Sequence, residues 1–180
     1  MKTRVITAIV ALIVFLPLLF LGGDYFKLTT FALGVMAMYE IVRMTFKETN
    51  IVVLGLSSLA GALLFLNEEI TQLQLYGLLF LILVGMLATV VATGHKIKLV
   101  EIGSIIFVTA YIFIGFYCLF MIRNLSLSHV AYLLLTIWFT DSFAYFGGMK
   151  FGKNKLSPKI SPNKSIEGSV IGSLSSIVIA

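Results

Sequence analysis

The chain has 180 residues, of which 59% are apolar and 12% charged, with a formal net charge of +5 and a mean hydropathy of +1.06. Soluble domains hold about 45–50% apolar and about 25% charged residues, so this composition excludes a water-soluble fold. The single cysteine, Cys118, excludes a disulfide scaffold as well, and what remains is an all-α polytopic membrane protein.

A helix that crosses the hydrocarbon core needs about 20 mostly apolar residues. Six runs meet or approach that length: Val5–Leu21, Leu28–Phe46, Ile51–Leu66, Leu75–Thr93, Ile102–Ile122 and Val130–Gly148, the third being the shortest. The start of the first run, with Lys2 and Arg4, has the look of a signal peptide. The run is long, however, lacks an A-x-A-like site and precedes further spans, so it reads as an uncleaved helix in which Pro17 is tolerated. A seventh run, Ser169–Ala180, reaches only about 18 Å against a core of about 30 Å and reads as an incomplete span. The predicted division is a transmembrane bundle over 1–149, a cytoplasmic lysine-rich loop over 150–168 and the start of a truncated helix over 169–180.

Lys and Arg in short loops set orientation. Eleven of the thirteen basic residues fall at the N-terminus and in the second, fourth and sixth loops; only Lys27 and Arg123 lie on the other side. The N-terminus and the even loops are therefore predicted to be cytoplasmic. The basic residues are scattered without aromatic interleaving, so no nucleic-acid partner is expected.

Along the spans, Glu40 and Arg43 share a helix face near the end of the second run and are expected to pair. His95 and His129 fall in loops on opposite sides, which excludes a shared zinc or haem site. In the sixth span Asp141 lies about two turns, or about 13 Å, before Lys150, with Tyr145 beside it on the same face. A carboxylate at that depth costs at least about 2.5 kcal/mol on insertion scales, so it should face the protein interior as a metal or substrate ligand, or as the partner of a lysine.

The sixth loop, KFGKNKLSPKISPNKSIEG over residues 150–168, holds five lysines, two Ser-Pro steps and one acid, Glu167. The prolines at 158 and 162 bias it towards an extended, turned conformation. Positive-inside bias and anionic membrane lipids account for lysines alone. Their company points further: carboxylates hold Mg2+, lysines neutralise phosphate as point charges, and the helix N-terminus after Glu167 offers backbone donors. The pattern suits a cytosolic-face site for a phosphorylated substrate. Beyond it, Gly168, Gly172, Ser176 and Ala180 recur every four residues, a stripe that should pack closely on another helix or on a second chain in a homo-oligomer.

The segments Asp141-Ser142 through Ala144-Tyr145 and Gly147-Gly148, then Gly152-Lys153-Asn154-Lys155-Leu156, then Ser161-Pro162-Asn163-Lys164-Ser165-Ile166-Glu167-Gly168 resemble the bacterial phosphatidate cytidylyltransferases, or CDP-diacylglycerol synthases. The earlier spans resemble that family in hydropathy only. The resemblance implies a magnesium-dependent reaction at the cytoplasmic side of the cell membrane, CTP + phosphatidate → CDP-diacylglycerol + pyrophosphate, in phospholipid biosynthesis. By the same resemblance Asp141, Lys164 and Glu167 are catalytic, Lys153, Lys155, Ser161 and Ser165 bind substrate, and Asp141 ligates Mg2+.

The family's most diagnostic segment, S-x-x-K-R-x(4)-K-D leading to G-H-G-G-x-x-D-R-x-D, is not found in these 180 residues. Its aspartates would be the principal metal ligands, so the chain by itself is expected to be incomplete for catalysis. Other readings are a CTP-dependent lipid enzyme such as a polyprenol kinase, a small proton-coupled transporter using Asp141 and Glu40, and a non-catalytic truncated paralogue.

Overall fold

The computed structural model describes residues 2–48, 50–66, 70–94, 96–158 and 161–179, with side chains from residue 11 to residue 178. His95 and Ala180 lie outside the described residues. Among them the order is α1 (Lys2–Leu21), α2 (Gly23–Phe46), α3 (Ile51–Phe65), α4 (Gln72–Ala92), α5 (Leu99–Leu125), α6 (Leu127–Phe151), β1 (Lys155–Ser157), β2 (Ser161–Ser165) and α7 (Ile166–Ile179). The expected all-α character holds, with one small hairpin added. Among the described residues four helices, α2, α4, α5 and α6, are long and apolar enough to cross a membrane. The helix α3 has 15 residues, or about 22 Å, and α7 has 14.

Helix boundaries shift where local chemistry outweighs hydropathy. The second helix begins at Gly23, not Leu28, because Gly22 and Gly23 take φ of +66° and +53° and make a sharp break after α1. The fourth begins at Gln72, not Leu75, where Thr71 and Gln74 form a reciprocal capping box. Ser126 caps α6 by accepting from the His129 amide, and its hydroxyl lies 2.6 Å from His129 Nδ1, which gives that histidine a local role.

The chain divides into two compact units, residues 1–125 and 126–180. In the first, α2 packs on α3 and α5 through Phe26, Thr30, Gly34, Met38 and Val42, one residue per turn. Phe113 of α5, 2% exposed, sits in a notch formed by Gly34 of α2 and Gly61 of α3, where any Cβ would collide with its ring. The hydroxyls of Ser57 and Thr109 lie 3.2 Å apart between α3 and α5, a polar contact of the kind worth about 0.6 kcal/mol in a bilayer. Arg123 closes the far end: its Nε donates to the Leu19 carbonyl at 2.7 Å and Nη2 to the Phe20 carbonyl at 3.0 Å. These are orphan acceptors at the C-terminus of α1, so Arg123 is a helix cap as well as a topological charge. Glu40 and Arg43, expected to pair, are both exposed and make no ion pair among the described residues.

In the second unit α6 and α7 pack tightly, and small residues explain the closeness. A Cβ on Gly168 would lie 2.7 Å from the Ala144 carbonyl oxygen and 2.9 Å from Gly148 Cα, and one on Gly172 would lie 2.9 Å from the Thr140 carbonyl oxygen. The stripe thus meets Thr140, Ala144 and Gly148 of the same chain. The helix α6 ends where the Gly152 amide donates to the Gly148 carbonyl at 3.0 Å. Strands β1 and β2 then run antiparallel, with Lys155 opposite Ser165 and Ser157 opposite Ser161, and β2 leads straight into α7. The loop expected to begin at Lys150 begins after Phe151, because α6 runs to that residue.

Candidate active site

A groove of about 790 Å³ follows the α6–α7 seam and is lined at one end by β2. From α6 it receives Asp141 and Tyr145, four residues apart on one face. From β2 come Ser161, Asn163 and Lys164, and from the entry to α7 and its first turns come Ser165, Ser169 and Ser173. Of the seven residues singled out from sequence, Asp141, Lys164, Ser161 and Ser165 meet here. Lys153, Lys155 and Glu167 do not line it; Lys153 and Lys155 are exposed, before and at the start of β1.

Asp141 faces the groove but is exposed, and it makes no hydrogen bond or ion pair among the described residues. Of its two expected roles, the buried structural pair with a lysine is therefore not formed. Ser165 is 7% exposed, and its hydroxyl accepts from the Gly168 amide at 3.2 Å as the cap of α7. The space that would hold a Cβ on Gly152 is filled by this same hydroxyl, 2.7 Å away, so the chain leaving α6 and the chain entering α7 touch.

Glu167 has a different environment from the one its lysine neighbours suggest. Its Oε2 accepts from the Lys153 amide at 3.1 Å and its Oε1 from Asn154 Nδ2 at 2.8 Å, while the Asn154 amide lies 3.2 Å from both oxygens. In return the Ile166 amide donates to the Asn154 carbonyl at 2.9 Å. The Glu167 amide also bonds its own carboxylate, and this bond, with those from Asn154 and Lys153, holds the carboxyl below the usual carboxylate range despite some opposing desolvation. Two of the first three amides of α7, those of Ile166 and Gly168, are occupied by the Asn154 carbonyl and the Ser165 hydroxyl. The helix N-terminus expected to offer donors to an anion has little left to offer.

The donor set falls short of a magnesium site. Mg2+ takes oxygen ligands in an octahedron, commonly one or two carboxylates with phosphate and water. Asp141 suits one such position, Glu167 is committed to backbone amides, and no group of three or more His, Cys, Asp or Glu able to hold a metal occurs among the described residues. Sequence reasoning missed Thr140, Asn163, Ser169 and Ser173 as lining residues. The spacing of four in Ser165, Ser169 and Ser173 was the available signal, since it puts all three on one helix face.

Residues 2–180 match the sequence profile of the cytidylyltransferase family. The phosphatidate cytidylyltransferase of Staphylococcus haemolyticus (strain JCSC1435) is 32% identical over 183 residues, covering 99% of this chain and 70% of that protein. The proteins of the same name from Staphylococcus saprophyticus subsp. saprophyticus and Staphylococcus aureus (strain COL) are each 33% identical over 184 residues, with the same coverage. No solved structure matches the chain. A profile matched almost end to end, together with relatives of which the chain covers more than two thirds, shows that the chain belongs to the cytidylyltransferase family.

Proposed function

We propose that the groove between α6, α7 and β2 is where the phosphoryl groups of CTP and phosphatidate meet, in the reaction that yields CDP-diacylglycerol and pyrophosphate. The reading rests on Lys164 and Asp141 lining one groove, and it draws on the activity named for the staphylococcal relatives. A phosphate monoester oxygen attacking the α-phosphorus of CTP needs charge neutralisation and alignment more than covalent help. Lys164 supplies a point charge for phosphate oxygens, and the hydroxyls of Tyr145, Ser161, Ser169 and Ser173 with the Asn163 amide supply neutral donors. Lys153 and Lys155, exposed before and at the start of β1, add to the positive field that draws in the triphosphate.

Magnesium would supply Lewis-acid charge neutralisation when bound, with Asp141 as the one ligand these residues contribute. The membrane arrangement we propose has six spans with α7 beginning a seventh. The N-terminus and the hairpin lie on the cytoplasmic side of the cell membrane, as the distribution of basic residues favours. Equilibrium binding of labelled CTP to the purified chain in lipid nanodiscs tests the site. Lys164→Ala is expected to weaken binding by about 10-fold, the cost of roughly 1.4 kcal/mol of charge-assisted contact. Undiminished binding by that variant would remove Lys164, and with it the groove, from the nucleotide site.

A further inference from the structure

We infer that Glu167 is a positioning residue, which anchors the base of the β1–β2 hairpin to α7 and so holds Lys164 over the groove. Its carboxylate reaches back 13 and 14 residues to the amides of Asn154 and Lys153. Those two residues immediately precede β1, whose Lys155 pairs with Ser165 at the open end of the hairpin, next to Lys164. The chain of contacts therefore runs from Glu167 to the 153–154 backbone, from there to β1, across the register to β2, and so to the groove-lining lysine.

Three features argue that this contact is built for position. The Ile166 amide donates to the Asn154 carbonyl, so the segment is tied to α7 by donors running both ways. Both carboxylate oxygens are engaged, and Asn154 contributes its side chain as well as its amide. The residue is also absent from the groove lining, although Lys164, Ser165, Gly168 and Ser169 around it are all present. A two-stranded hairpin of three and five residues is marginal on its own, so an external anchor at its open end matters to where its side chains point. The link to phosphate binding rests on the function proposed above; the anchoring does not.

The test measures distance and binding separately. Spin labels at Tyr145→Cys and Asn163→Cys, in a Cys118→Ser background, span the groove between α6 and β2 and report distance alone, while CTP binding is measured on unlabelled chains that keep Tyr145 and Asn163. The parent should give one narrow distance distribution, and Glu167→Gln, which keeps Oε1 as an acceptor for Asn154, should stay narrow. Glu167→Ala should broaden it and weaken CTP binding by about 10-fold, the effect of losing a partner that orients a binding group. Broadening with unaltered CTP affinity supports the anchoring while removing the phosphate reading of the groove. A distribution as narrow in Glu167→Ala as in the parent, or equal losses of affinity in the Gln and Ala variants with no broadening in either, would overturn the inference.

Discussion

Supplied with CTP, phosphatidate and Mg2+, the purified 180-residue chain is expected to form CDP-diacylglycerol at least about 10²-fold more slowly than the longer Staphylococcus aureus relative under the same conditions. The reason is the count of free carboxylates. Among the described residues Asp141 is the one acid that lines the groove, and the other nearby acid, Glu167, has both oxygens on amide donors of residues 153 and 154. Metal-assisted displacement at phosphorus commonly holds its ions with more carboxylate than one residue provides, because both the attacking and the leaving oxygens need stabilisation. The assay is release of pyrophosphate and formation of labelled liponucleotide in mixed micelles, using enzyme from a host depleted of its own synthase. Turnover comparable to the relative's would show that Asp141 suffices.

Replacing Gly168 with alanine should separate α6 from α7, whereas the same replacement at Gly115 should be harmless. At Gly168 the new methyl would meet the Ala144 carbonyl oxygen at 2.7 Å and the Gly148 backbone at 2.9 and 3.0 Å, and backbone atoms have no rotamer to yield. Overpacking of this kind costs about 1–3 kcal/mol. At Gly115, on α5, nothing lies within 4 Å, so the gain in helix propensity has no opposing collision. Thermal unfolding in detergent, followed by labelling of a cysteine in each unit, should show the Gly168 variant losing stability in residues 126–180. Leucine at Gly168 should enlarge the loss. Equal stability of the Gly168 and Gly115 variants would mean that the helices approach less closely than the seam requires.

What could be read from the sequence was whatever follows from periodicity and local composition. The apolar runs located every helix because hydropathy and helical length are coupled in a chain this apolar. The stripe of Gly168 and Gly172 announced a close contact because glycine at spacing four leaves a continuous channel on one face. Asp141 with Tyr145 was legible for the same reason, since both fall on one side of α6. Contacts between residues far apart in the chain were not. Arg123 looked like a loop charge until α1 ended against it, 104 residues earlier in the chain. Glu167, the lone acid among lysines, was read as catalytic by resemblance, and its partners in the structure are the amides of residues 153 and 154, brought near by closure of the hairpin. Lys153 and Lys155 were grouped with Lys164 by composition, yet of the three it is Lys164 that lines the groove.

The claim that nucleotide phosphate sits beside Lys164 is tested most directly by protection. The chain, intact in nanodiscs, is treated with a small amine-specific reagent with and without saturating CTP, and modification of each lysine is followed by mass spectrometry. Lys96, which lines a separate pocket of the first unit with Lys47 and Glu101, serves as the internal control. CTP is expected to slow modification of Lys164 by about 10-fold or more, since a lysine covered by phosphate is closed to the reagent, while Lys96 reacts as before. Modification of Lys164 at the same rate with and without CTP would contradict the account.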